Sequence, residues 1–215
     1  MGTKKVDTEI RREQIALAAL SLVEKQGLQA VTVTRVARLV GLVPSALYRH
    51  FKGKDQIIDA VLDLIEEQMI TNLAEIDNPA DDPVAVLRNL LMRQVQMVLQ
   101  YQAIPHFLFS EEVFNGRPKR KKKFFNLIST FLNGVASIIR RGQEQGNIRQ
   151  DRDAKSLATL FIGLFHPAFF LWHLSDGQFD LTRQINLTWE SFVDAVVRCD
   201  RSEIQTLGWK ETHRD

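Results

Sequence analysis

Apolar residues recur along this chain at three- and four-residue spacing and never alternate long enough to suggest a strand, so the pattern predicts an all-α protein. A first helix is expected from about Asp7 to Gln26, with Ile15, Ala18, Ala19, Leu22 and Val23 on one stripe and Gly27 ending it. Ahead of it, Met1 to Thr8 is polar and reads as a mobile arm whose Lys4 and Lys5 could reach a phosphate. A long helix is expected from Lys54 to about Ile76, with Ile58, Val61, Leu62, Ile65, Met69 and Leu73 inward, and the turn-rich Asp77–Pro83 breaks it. The next helix, Val84 to about Gln100, turns Leu87, Leu91, Val95 and Val98 inward, with Gln94 beside that stripe. Tyr101 to Asn115 reads as one short helix. Phe124 to Gln145 reads as a long one, with Phe124, Ile128, Phe131, Val135, Ile138 and Ile139 on one face.

Asp151 to Ser175 stands apart, because Leu157, Leu160, Phe161, Leu164, Phe165, Phe169, Phe170 and Trp172 occupy nearly every side of the expected helix. A helix apolar all round must be buried all round, so one face is assigned to its own domain and the other to a partner subunit. Pro167 removes a backbone bond and clashes with the Gly163 carbonyl, so a kink is expected there. The last helix, about Leu181 to Arg198, carries a second wide stripe of Ile185, Trp189, Phe192, Val193 and Val196. Together the two would form half of a four-helix dimer interface. Beyond Asp200, only Leu207 and Trp209 suggest docking.

Composition changes this picture little. A chain of 215 residues, 45% hydrophobic and 25% charged, is an ordinary globular protein of one or two domains. No apolar run is expected to reach the ~20 residues of a membrane helix, the nearest (161–172) being broken by His166 and Pro167. The N-terminus lacks a signal peptide's apolar core, which points to a cytoplasmic protein. The lone Cys199 excludes an internal disulfide framework. Charge is informative by position: residues 1–60 hold ten lysines and arginines against six acids, a basic bias at one end of a chain whose net charge is +2. The densest run, GRPKRKKK at 116–123, is expected to be a solvated loop and first helical turn; the competing reading is a second DNA contact.

Thr32 to Lys54 reads TVTRVARLVGLVPSALYRHFKGK and divides into two short helices joined by a tight turn. Val33, Val36, Ala37 and Val40 recur at helical spacing behind Thr32, which is placed to cap. Gly41 stands where a helix ends in the left-handed conformation, and Pro44 suits the first position of a new helix. Leu47 and Phe51, spaced i, i+4, share one buried face, leaving Ser45, Ala46, Tyr48, Arg49 and His50 to point elsewhere. This is helix-turn-helix spacing, in which the second helix enters the DNA major groove. Arg49 is the one residue of that group able to contact guanine bidentately.

The segment resembles the DNA-binding motif of the tetracycline-repressor (TetR) family of bacterial transcription regulators. It matches at Thr32, Ala37, Gly41, Leu47, Tyr48, His50, Phe51 and Lys54. One position departs: the family often carries a small polar residue where Val43 stands, and valine cannot cap the recognition helix. The resemblance implies that Thr32, Tyr48, His50 and Lys54 are mainly phosphate contacts, with Thr34 and Arg35 as additions; Ser45, Ala46, Tyr48 and Arg49 are expected at or near the base edges, and Pro44 belongs to the same DNA-binding set. It also implies an N-terminal three-helix DNA-binding domain, 1–54, and a C-terminal helical bundle, 55–215, that binds an effector and dimerises. Candidate pocket residues are Gln94, Phe107, Phe131, Phe165, His166 and Trp172, and their aromatic character favours a small apolar or aromatic effector.

Other chemistry is not expected. His166 and His173 are seven residues apart, ~10 Å along a helix axis at 1.5 Å per residue, too far to share one zinc. His106 with Glu111 or Glu112 could join one of them, but HExxH and paired-cysteine spacings are missing, so neither metal nor cofactor is expected. There is no glycine-rich phosphate loop and no nucleophile elbow, so an enzyme is not expected. The expected function is a dimeric repressor released from a near-palindromic operator by a small molecule. The alternatives are a helical small-molecule binding protein and a DNA-binder without sequence preference.

Overall fold

The computed structural model describes residues 2–76 and 78–197, which form eleven α-helices and one short 3-10 turn. Helix α1 (Gly2–Gln26) ends at Gly27, where φ is 75°. It runs through the stretch expected to be an arm. Helices α2 (Val33–Leu39) and α3 (Pro44–Tyr48) form the turn-linked pair, and α4 (Lys54–Ile76) is the long helix after it. Helix α5 (Pro83–Gln100) starts where the Asp82 carboxylate accepts from the Val84 and Ala85 amides, with Pro83 in its first turn.

Tyr101 to Asn115, expected as one short helix, holds two: α6 (Ile104–Leu108) and α7 (Glu111–Phe114), separated at Phe109 and Ser110. Helix α8 (Pro118–Glu144) begins earlier than expected and takes in most of the basic run. The expected kinked helix at 151–175 is instead two, α9 (Ala154–Gly163) and α10 (His166–Leu174). Pro167 sits in the first turn of α10, where its missing N–H costs nothing, so the chain restarts a helix rather than bending one. Helix α11 (Leu181–Val196) is capped by Asp180. Arg198, Cys199, Leu207 and Trp209 lie outside the described residues.

Helix α4 organises the packing. It lies along α1 on one side and against α5 and α8 on the other, so one rigid rod touches both ends of the molecule. Its Ile57, Ile58, Val61, Leu62, Ile65 and Met69 are all buried, as is the α5 stripe of Leu87, Leu91, Val95 and Val98. Gly134 of α8 faces Leu73 of α4, and a Cβ there would overlap that side chain, which would have to shift. Helix α9 packs on α8, and α10 packs on α11 and α6.

Ala154–Leu174, with mean hydropathy 1.6, is long and apolar enough by composition to cross a membrane. This corrects the expectation that no run approaches that length: His166 and Pro167 interrupt the helix, not the hydropathy. Half of the stretch is buried inside the fold, as in a core helix. Its other residues tell a second story. Leu160, Phe170, Leu171 and Leu174 are exposed in the single chain, as is Leu187 of α11.

Candidate nucleic-acid interface

The α2–α3 unit is held by its own short-range chemistry. Thr32 sits extended, and its hydroxyl accepts from the Arg35 amide at 3.2 Å, satisfying one donor at the start of α2. Gly41 adopts φ 67°, which lets the Leu42 amide reach back to the Ala37 carbonyl at 2.9 Å and closes α2. Val43 then occupies the cap position of α3 with no side-chain hydrogen bond, and Pro44 presets the first turn. Val36, Ala37 and Leu47 are wholly buried, and Phe51 is nearly so, against a core that includes Ile15 and Ala19 of α1. The Arg12 guanidinium lies 5.5 Å from the centre of the Phe51 ring.

That anchoring turns the other side of α3 outward. Pro44, Ser45, Tyr48, Arg49 and His50 are exposed and Ala46 is half-buried; on α2 and its cap, Thr32, Thr34 and Arg35 are exposed as well. The Arg35 guanidinium donates to the Gln26 side chain at the end of α1. Lys54 differs from the rest: it is half-buried, and its ammonium is 2.8 Å from Glu112 of α7, which also accepts from Gln29 at 2.6 Å. Sequence reasoning did not anticipate Glu112 as a link between α7 and the N-terminal helices.

The basic run divides into a paired face and an exposed one. Arg117, Arg120 and Lys123 recur at i, i+3 on one face of α8 and meet Asp55, Asp59, Asp63 and Glu66 along α4. Arg117 makes a two-bond contact to Asp55 at 2.6 and 3.2 Å. The Asp55 carboxyl is held below its ordinary value, chiefly by that hydrogen bond from Arg117. Arg120 is 6% exposed and donates to Asp59 at 2.7 Å, to the Val113 carbonyl at 2.6 Å and to the Asp55 carbonyl at 3.1 Å. Lys119, Lys121 and Lys122 of the same run stay exposed. The signal was present in the sequence as two complementary stripes, legible only once the two helices are known to be neighbours.

The candidate effector residues come from α5 (Gln94), α6 (Phe107), α8 (Phe131) and the start and body of α10 (Phe165, His166 and Trp172). Phe107 and Phe131 are wholly buried, and Phe165 (2% exposed) stacks within an aromatic chain with Phe161 and Phe169 at 6.1 and 5.3 Å. Gln94 is 1% exposed, and its side-chain amide nitrogen has no hydrogen-bond partner among the described residues. His166 is pushed below its ordinary value by burial. Trp172 lines a cavity of about 160 Å³ together with Glu24, Gln102, His106, His173, Asp176 and Gly177. There the His106 and His173 rings meet edge-to-face at 4.1 Å, and burial, then the neighbouring His173, pushes His106 below its ordinary value. A second, more open cavity of about 340 Å³ lies between Leu108, Phe109, Glu111, Phe114 and Lys121.

A helix-turn-helix whose second helix is polar outside and pinned from below, carried on a helical body, defines a DNA-binding transcription regulator. The model for bacterial regulatory proteins of the tetR family matches residues 15–61, and that for the YsiA-like protein C-terminal region matches 112–195. The chain belongs to the TetR family. It is 25% identical over 204 residues to the HTH-type transcriptional regulator TtgR of Pseudomonas putida, spanning 88% of this chain and 91% of TtgR. Its fold is similar to that of the regulator FadR of Bacillus subtilis in complex with stearoyl-CoA (TM-score 0.71, 19% identity, 84% of this chain and 97% of that one). It is also similar to SmeT of Stenotrophomonas maltophilia in complex with triclosan (TM-score 0.71, 18% identity, 87% and 91%).

Proposed function

We propose that the chain is a cytoplasmic homodimeric repressor that occupies a near-palindromic operator and leaves it on binding a small apolar or aromatic molecule. The observation that carries this reading is the one-sided α3: Leu47 wholly buried, with Ser45, Tyr48 and Arg49 exposed beside it. Ser45, Ala46, Tyr48 and Arg49 approach the base edges, with Pro44 at the start of the helix. Thr32, Thr34, Arg35, His50 and Lys54 hold phosphates. Residues 1–54 act as the head and 55–215 as the body. The exposed leucines and phenylalanine of α9, α10 and α11 form the dimer face, which supplies the second recognition helix and hence the two-fold operator.

The effector reading rests on the buried aromatics of the body and on the unpaired Gln94 amide. The stearoyl chain of stearoyl-CoA and the rings of triclosan, bound by two proteins of similar fold, are both apolar. Gln94, Phe107, Phe131, Phe165, His166 and Trp172 would take part in the pocket. Binding that favours one position of α4 would change the separation of the two heads, because α4 touches both α1 and α8.

The test is selection of duplexes from a random-sequence library by the full chain, followed by competition with candidate effectors. Recovery of a near-palindromic site, lost in Tyr48→Ala, supports the reading. Equal binding to all duplexes sinks it in favour of a DNA-binder without sequence preference. A site whose occupancy no apolar or aromatic molecule alters removes the effector half alone.

A further inference from the structure

Three large apolar side chains are exposed on the described part of the head: Leu39, Val43 and Tyr48. Tyr48 has a phenolic end to hydrogen-bond, but Val43 has only methyl groups and is 64% exposed. Nothing in the fold accounts for a valine there. It packs into no core, and at the cap position of α3 it contributes no side-chain hydrogen bond where a serine or threonine would. Leu39 ends α2, the helix that in this motif crosses the backbone, whereas Val43 directly precedes Pro44, Ser45 and the rest of the exposed recognition face.

We infer that Val43 is a specificity-determining residue that reads the C5 methyl group of a thymine in the major groove. The inference rests on the DNA-binding reading above and adds a residue to it. Of the groups that bases present in that groove, the thymine methyl is the apolar one, so an exposed aliphatic side chain there discriminates thymine from cytosine without a hydrogen bond. The surface is continuous with exposed Ser45, Tyr48 and Arg49, and Arg35, Arg38, Arg49 and Lys52 bring it toward a polyanion. A β-branched side chain is stiff at χ1, so its methyls are positioned before contact and little rotamer freedom is lost. The contact belongs to the side chain alone; no helix charge or backbone donor takes part.

The experiment uses the duplex selected by the full chain. Each thymine in turn is replaced by deoxyuridine, which deletes the C5 methyl and leaves every hydrogen-bonding group in place. Affinity is measured for the parent, Val43→Ala and Val43→Ser, with helicity checked for each. Val43→Ala deletes the methyls and adds no cap, whereas Val43→Ser deletes them and adds one, so cap and contact effects separate. One thymine in each half-site is expected where deoxyuridine weakens the parent about fourfold, the scale of one buried methyl group, while both variants bind the two duplexes equally. If no thymine shows a methyl dependence that the variants abolish, the assignment of Val43 is overturned and the operator reading stands. If no duplex is enriched, the operator reading falls and takes this inference with it.

Discussion

Two basic stretches of this chain meet opposite fates. In the head, Arg35, Arg38, Arg49, His50 and Lys52 all lie at the surface. In the body, the denser run at 116–123 sends Arg117, Arg120 and Lys123 into the acidic stripe of α4 and leaves Lys119, Lys121 and Lys122 in water. Charge density alone therefore does not say what a basic stretch will be paired with. What decides is whether the neighbouring helix offers carboxylates at matching spacing. Basic residues at the start of α8 oppose its macrodipole, and the tertiary ion pairs with α4 supply the compensation that local sequence lacks.

The largest test of that contrast is Arg120→Met. It removes the donor to the Val113 and Asp55 carbonyls and the ion-pair partner of Asp59, while Asp55 keeps Arg117, and a loss of about 2 kcal/mol of stability is expected in urea unfolding. The figure is below the ~3–5 kcal/mol of a fully buried pair because the Asp55 and Asp59 side chains are about half exposed. An unchanged unfolding midpoint would mean that the α4–α8 ladder holds nothing together. Arg49→Ala reverses the pattern: a loss of ~1–3 kcal/mol in discrimination for the selected duplex, with unfolding unchanged within about 0.5 kcal/mol.

A pH series sharpens the comparison with a third kind of cation, one kept neutral. His106 sits below its ordinary value through burial and His173, and burial moves His166 the same way. The unfolded chain then takes up protons first, so their contribution is complete above about pH 6.5 and is lost as the pH falls below it. Unfolding midpoints are expected to drop between about pH 7.5 and 5.5, with a shallower slope in His106→Phe; equal slopes would remove His106 from the account. Smaller still is Glu112→Gln, which releases Lys54 and should tighten duplex binding about twofold to fourfold at low salt, an effect that vanishes in a Lys54→Ala background. The smallest is replacement of Lys119, Lys121 and Lys122 by alanine. Neither stability nor the salt slope of duplex binding should move; a shallower slope would restore the run as a DNA contact.

The α2–α3 unit was legible residue by residue because its determinants lie within a few positions of one another. Thr32 caps Arg35, Gly41 turns the chain, and Leu47 and Phe51 share one face, each a statement about neighbours in sequence. The α9–α10 break was half legible. Pro167 announced a discontinuity, but whether a helix bends or restarts depends on what packs around Leu164 and Phe165, both buried. The arm expected before Thr8 failed for the opposite reason, since a polar composition does not prevent a helix from continuing to Gly2.

The sequence by itself determined the all-helical build, the Thr32 cap, the helix-turn-helix and its outward face, because hydrogen bonds at i, i+4 and turn chemistry are local. Only the tertiary structure decided that Arg120 belongs to Asp59, that Glu112 holds Lys54, and that His106 meets His173, pairs drawn from distant parts of the chain. Helical periodicity says which face of a helix is apolar and leaves open which other helix will cover it. Partner choice is settled by the packing of all the helices at once, so a charged or titratable side chain acquires its role only when that packing is complete.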